Sequence, residues 1–288
     1  MWIQTLKDFI YIALELTILF IFISFLISLL QGYIPYGKIE KKFKGKNKLI
    51  AGLAAIIFAF ITPFCSCSTI PMVVNMLKKK LPFGIIMIFL FASPLLDPTI
   101  LTIMGVVMGW KVTILYILAT MIFSLVIGFT LEALGFEKYV KNVVITGYEE
   151  SSSKFDFKRA IQETLSLIKS VFPYLMIGAA VGAIIHGLVP TEWISSIFGE
   201  ENWWLIPIAA LIGIPLYIRL SSMIPISQIL IMKGMALGPV MAMMISSAGA
   251  SLPEIILLKS IFRKELVVIF VLSVITMSTV SGYIFYLL

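Results

Sequence analysis

Apolar residues fill this chain in long blocks, interrupted by short runs rich in lysine, glycine, proline or serine. The blocks Phe9–Ile34, Leu49–Leu77, Val112–Leu134, Leu165–Val189 and Leu266–Leu288 each reach or exceed the roughly 20 apolar residues that cross a ~30 Å hydrocarbon core. Lipid offers backbone N–H and C=O groups no partner, so these blocks are predicted to be helices. The first is longer than the ~7–15-residue apolar core of a secretory signal, and no small-residue cleavage site follows it. It is read as a retained helix.

Composition agrees. The 288 residues are 60% hydrophobic and 13% charged, with a mean hydropathy of +1.07, whereas soluble domains run near 45–50% apolar and ~25% charged. The predicted class is an all-α polytopic protein of the cytoplasmic (cell) membrane, crossing it several times, with about eight apolar segments. The net charge of +7 sits in short loops beside apolar spans, where lysine records membrane orientation. Membrane lipid is therefore the expected surrounding, and nucleic acid is not an expected partner. No nucleotide loop, hydrolase elbow or zinc-protease spacing occurs, so neither an enzyme nor a cofactor is expected.

The chain divides into residues 1–135, a polar cytoplasmic linker over 136–160, and residues 161–288. Laid on one another at an offset of 154 or 155, the two long parts match Gly32 with Gly187, Pro35 with Pro190, Pro71 with Pro225, Gly84 with Gly238, and Pro98 with Pro253. Prolines inside apolar segments are costly to a helix, so their recurrence in order predicts an internal repeat. Charge predicts its symmetry. Lys38–Lys48 is rich in lysine and should be cytoplasmic, whereas its counterpart Thr191–Asn202 carries Glu192, Glu200 and Glu201 without a basic residue and should be external.

Equivalent loops on opposite sides imply inverted-topology repeats, with an odd number of crossings in each. Each half has four apolar blocks, so one must turn back. Leu49–Leu77 ends at Lys78-Lys79-Lys80, which favours a re-entrant hairpin over a single span. The expected path is Phe9–Ile34 inward, the hairpin, Phe83–Met108 outward and Val112–Leu134 back; Leu165–Val189, Trp203–Met232, Leu237–Leu258 and Leu266–Leu288 mirror it.

The strongest chemical signal is Thr62-Pro63-Phe64-Cys65-Ser66-Cys67-Ser68-Thr69-Ile70-Pro71. Were it unwound, an extended period of two would put Cys65 and Cys67 on one side and Ser66 and Ser68 on the other. Two soft sulfurs could then meet one thiophilic ligand. Small residues permitting close helix packing are the plainer reading. The mirror segment keeps Ser221, Ser222 and Pro225, has no cysteine, and adds Arg219 as an anion anchor, a carboxylate partner or an interfacial side chain.

Ala92–Thr99 and Ser246–Glu254 are small polar breaks ending in Asp97 and Glu254, each beside a proline. Either acid could relay a proton or ion, or cap the half-helix that follows. Asn75 and Gln228 read as interhelical hydrogen-bonding residues and the lone His186 as structural, so no resident metal site is expected.

Pro63-Phe-Cys-Ser-Cys-Ser-Thr-Ile-Pro71, followed by Leu81-Pro-Phe-Gly84, Ala92-Ser-Pro94 and Asp97-Pro98, resembles the predicted-permease family that contains the bacterial organoarsenical efflux permeases. The resemblance covers nearly the whole chain. It implies a multi-pass permease, with Cys65 and Cys67 as candidate contacts for a small solute such as a trivalent organoarsenical or a sulfur compound. It also implies a thioredoxin-like partner protein, since relatives are often encoded beside one. A homo-oligomer is left open. The alternatives are a thiol-dependent membrane oxidoreductase and a structural subunit of a larger permease complex.

Overall fold

The computed structural model describes residues 48–61, 66–141, 203–216 and 236–287, together with residues 14, 17, 18, 21, 25, 161, 165, 172, 173, 223, 224, 227, 228 and 231 of the other apolar blocks. Its helices are α1 Lys48–Ile61, α2 Ser66–Lys78, α3 Phe83–Ala92, α4 Pro98–Val107 and α5 Trp110–Ala133. A 3₁₀ turn, Phe136–Tyr139, follows, and then α6 Leu205–Leu216, α7 Leu237–Gly249, α8 Leu252–Ile261 and α9 Lys264–Tyr286. Among the described residues the one other backbone pairing is an isolated antiparallel bridge, Val140 with Phe262. The fold is all-α, as its composition predicts.

Among the described residues, three helical stretches are long and apolar enough to cross a membrane: α5, α9, and Leu237–Ile261, which contains α7 and α8. On α5 the outward stripe is apolar. Ile114, Leu118, Ile122 and Val126 are exposed at every fourth position, while Thr113, Tyr116, Thr120, Ser124 and Gly128 are buried. A soluble helix would present the reverse, so this is a surface made for lipid. The all-apolar α3 is buried along its whole length, and α7 almost entirely. These two form the centre, with α1 and α5 packed on α3, and α6 and α9 packed on α7.

The helices of the two halves recur at a fixed spacing. Adding 154 to the bounds of α4 and α5 gives 252–261 and 264–287, against the observed Leu252–Ile261 and Lys264–Tyr286. Packing recurs with them. A Cβ on Gly128 would fall 2.9 Å from the Gly84 carbonyl oxygen, and one on Gly282, 154 residues on, 3.0 Å from the Gly238 carbonyl oxygen. Both crossings therefore need glycine for the backbones to touch. Gly128→Ala and Gly282→Ala are each expected to cost about 1–3 kcal/mol through overpacking, read as a lower unfolding midpoint in detergent. Neutral results for both would mean that the crossings open freely.

Chain direction follows from one carboxylate. Glu132, near the end of α5, accepts from Lys48 Nζ at 3.1 Å through Oε1 and from the Gly84 N–H at 2.9 Å through Oε2. Lys48 starts α1 and Gly84 lies in the first turn of α3, so α1 begins and α2 ends at the same end of α5. At 14 residues, α1 rises only about 21 Å, too short for a ~30 Å core. The return is sharp: Leu81 N–H reaches Met76 O at 3.2 Å and Lys80 N–H reaches Leu77 O at 3.0 Å, with Lys80 left-handed at φ 52°. This is a Schellman closure with lysine where glycine is usual.

The same end of the molecule holds the start of α9. Lys141 N–H donates to Ile261 O at 3.0 Å and Arg263 N–H to Tyr139 O at 2.9 Å, placing the residues after α5 beside the turn before α9. Lys48, Lys78–Lys80, Lys138, Lys141, Lys259, Arg263 and Lys264 gather here, whereas Lys111, Trp110, Trp203 and Trp204 belong to the opposite end.

Candidate functional site

Phe83–Met108, expected as one helix with a small polar break, is two helices joined through Ser93–Asp97. The ten residues of α3 rise about 15 Å, half of a ~30 Å core, which puts this break near mid-depth. The second half breaks correspondingly at Ala250 and Ser251, between α7 and α8. The breaks adjoin, since a Cβ on Gly249 would lie 3.8 Å from Leu95 Cδ1.

Local bonds hold the first break open. Asp97 is the N-cap of α4, its Oδ1 accepting from Thr99 N–H at 2.8 Å and Ile100 N–H at 3.4 Å, with Pro98 at the first helical position. Tyr116, fully buried on α5, donates its hydroxyl to the Leu95 carbonyl at 3.0 Å. Broken backbone inside a membrane needs such partners. In the second break Ser246 and Ser247 bond back to the carbonyls of Met243 and Met244 at 3.1 and 3.0 Å, satisfying hydroxyls with no cap to make.

The hydroxyl and thiol segment reaches this place through Thr69. Its Oγ1 lies 3.2 Å from Ser93 Oγ, both side chains fully buried, so the tip region of the α1–α2 pair meets the α3–α4 break. The unwound arrangement considered for this segment does not hold from Ser66 onward, where the backbone is helical through Pro71. Pro71, sixth in α2, has no N–H for the Cys67 carbonyl and loses that one bond without ending the helix. The expectation that an extended period of two sets Cys65 and Cys67 on one side and Ser66 and Ser68 on the other is corrected accordingly, with Ser66, Cys67 and Ser68 forming the first turn of α2. Cys65, Arg219, Ser221, Ser222 and Pro225 lie outside the described residues, as do the side chains of Ser66, Cys67 and Ser68.

Glu254 is the third residue of α8 and fully buried. The likeness between Asp97-Pro98 and Pro253-Glu254 is not a positional one. The helices align Asp97 with Ser251, each the residue before its half-helix, and Glu254 stands nearly a turn further in. Helix α8 packs on α2, so the buried acid belongs to the half-helix beside the thiol-bearing one. A second contact crosses between the halves: Gln228 Nε2 donates to the Val107 carbonyl at 3.3 Å, the interhelical role expected of it. Between them, Phe91 of α3 stacks on Phe270 of α9 with centroids 4.7 Å apart.

Half-helices thus meet near mid-depth, bordered by small hydroxyls and one buried acid. A family model described as a predicted permease, ArsP_1, matches residues 1–287. The chain belongs to this predicted permease family. It is a membrane protein.

Curated relatives agree. The permease is 22% identical to the UPF0718 protein MJ0584 of Methanocaldococcus jannaschii, over 84% of this chain and 84% of the relative. It is 24% identical to the UPF0718 protein YraQ of Escherichia coli, over 82% and 67%. A Streptococcus mutans protein named "Putative two-component membrane permease complex subunit" is 24% identical, over 85% and 83%. No solved structure matches the chain.

Two residues that tie the broken helices to α5 escape the sequence reading. Tyr116 bonds a break carbonyl 21 positions away, and Glu132 bonds residues 84 and 48 positions away. The available signal was a lone acid closing an apolar span, with its partner Gly84 already marked by the repeat.

Proposed function

We propose that this permease is a multi-pass secondary transporter or channel-like protein of the cell membrane. A small thiophilic solute, such as a trivalent organoarsenical or a sulfur compound, passes between the two breaks. Cys65, Ser66, Cys67, Ser68, Thr69 and Pro71 line the path from the first half, and Arg219, Ser221, Ser222 and Pro225 from the second. Glu254 is the coupling acid, and Asp97 shapes the half-helix opposite. The observation that carries this reading is the contact of two broken helices at mid-depth, with Thr69 bonded into one of them.

The halves are inverted repeats in this reading. In support, α5 and α9 are equivalent by spacing, yet the residues following α5 pair with the turn preceding α9, so the equivalent helices point opposite ways. The basic end is cytoplasmic, by the bias of lysine and arginine toward that side. The pair α1–α2 is then a re-entrant hairpin from the cytoplasm, carrying the thiols to mid-depth at its tip.

Cells with and without the protein should differ in accumulated methylarsenite. Equal accumulation with expression confirmed removes the thiophilic substrate. The name of the Streptococcus relative supports a second reading, in which this chain is one subunit of a two-component permease and a separate protein, the thioredoxin-like one included, completes it. Uptake by liposomes holding the purified chain alone decides between them.

A further inference from the structure

Two basic segments, distant in the chain, are fastened side by side where α5 ends and α9 begins. The antiparallel bridge between Val140 and Phe262 is closed by Lys141 N–H to Ile261 O at 3.0 Å and by Arg263 N–H to Tyr139 O at 2.9 Å. Lys138 and Lys141 are thereby brought to the same end as Lys259, Arg263 and Lys264. Like charges gathered in this way repel, and the bridge holds them together against that repulsion. Glu137 and Glu265 lie on the same two segments, yet among the described residues no carboxylate pairs with any of the five cations; the ion pair there is Lys48 with Glu132.

Helix α8 accounts for some of this charge. Lys141 Nζ donates to the Lys259 carbonyl in the last turn of α8, where cations suit the negative end of the helix dipole. Lys138 Nζ sits 5.1 Å from the centroid of the Tyr139 ring. Arg263 and Lys264 have no such reason to be there. They are the N-cap and first residue of α9, at the positive end of its dipole, where a cation costs stability.

The lipid-facing stripes run up to the cluster. On α5 the exposed stripe ends in Val126, Thr130 and Leu134, with Lys138 next at the same spacing; on α9 Leu272 and Val268 are exposed, and Lys264 is the next position outward. A molecule lying along either stripe meets apolar side chains over its length and cations at its tip. That is the pattern of an acyl chain beneath an anionic headgroup. A free phosphate would use the charges alone, and an acidic soluble protein would leave the stripes untouched.

We infer that Lys138, Lys259, Arg263 and Lys264 form a binding site for the headgroup of an anionic phospholipid, whose acyl chains lie on the exposed stripes of α5 and α9. Its phosphate supplies the counter-charge that the two bridged segments lack, and so tightens the junction between the first half and the second. The inference needs the chain to sit in a membrane, but it depends neither on a given solute nor on which side the basic end faces.

Thermal unfolding of the purified full chain in a non-ionic detergent tests it, with phosphatidylglycerol, phosphatidylcholine or inorganic phosphate titrated in. Phosphatidylglycerol should raise the unfolding midpoint by several degrees, and the other two by about a degree or less. Lys259→Gln, Arg263→Gln and Lys264→Gln together should raise the phosphatidylglycerol concentration that gives half of this rise by at least about tenfold, since each basic residue at an anionic surface contributes roughly fivefold. Lys111→Gln, at the opposite end, should leave it within about twofold. Should the triple variant fail to fold, salt reads the same contact in the unaltered chain, where the shift should shrink strongly between about 0.05 and 0.5 M. An equal shift with phosphatidylcholine, an equal shift with inorganic phosphate, or a shift indifferent to salt would each overturn the inference. No shift with any of the three would leave the cations to an acidic protein or to Glu149 and Glu150 of the chain's own linker, and would overturn it as well.

Discussion

Replacing Cys65 and Cys67 together with serine is expected to return methylarsenite accumulation to the level of cells lacking the protein. Serine is close to cysteine in size and differs chiefly in replacing the soft sulfur donor with a hard hydroxyl. Thiophilic centres discriminate strongly between thiolate and hydroxyl. Loss even of a supporting group costs a metal site about tenfold or more, so loss of two donors should exceed that. Expression and unfolding midpoint should match the parent. If the double variant keeps full activity toward methylarsenite, the thiols are packing residues and the hydroxyls carry the path.

Glu254 and Asp97 are expected to part company under substitution. Glu254 is wholly buried on a half-helix beside α2, where a carboxylate is costly to keep and serves function by default. Glu254→Gln keeps its shape and removes its charge, and should lower coupled transport at least about tenfold. Asp97 bonds two backbone N–H groups at the start of α4. Asparagine caps a helix as well as aspartate does, so Asp97→Asn should hold transport within about twofold, and Asp97→Ala should cost about 1 kcal/mol of stability. Proton-driven uptake into liposomes reads the first effect and thermal unfolding the second. A large transport loss in Asp97→Asn would make charge, not capping, the role of that residue.

Much of this fold could be read from the chain because its cues are local. Apolar blocks of spanning length gave α5 and α9 nearly to their ends, and Asp97-Pro98 carries the cap-then-proline signature of a helix start. The place where the thiol segment turns helical could not be read so. A proline at the sixth position of α2 argues against a helix by its own chemistry, and only the surrounding protein decides whether one missing bond is tolerated. The alignment of Pro98 with Pro253 misled in the same way. Two identical residues were matched where the helix bounds place Pro98 opposite Leu252, one position away from Pro253. Glu132 was hidden for a different reason: nothing near it in sequence announces partners dozens of residues away.

The central claim is that the two halves, alike in sequence and packing, enter the membrane from opposite sides. Leu49 and Trp203 test it at equivalent positions, 154 residues apart, both exposed at helix starts. In a Cys65→Ser, Cys67→Ser background, Leu49→Cys and Trp203→Cys should react with a membrane-impermeant maleimide from opposite faces, the first from the cytoplasm and the second from outside. Labelling of both from one face would contradict the account.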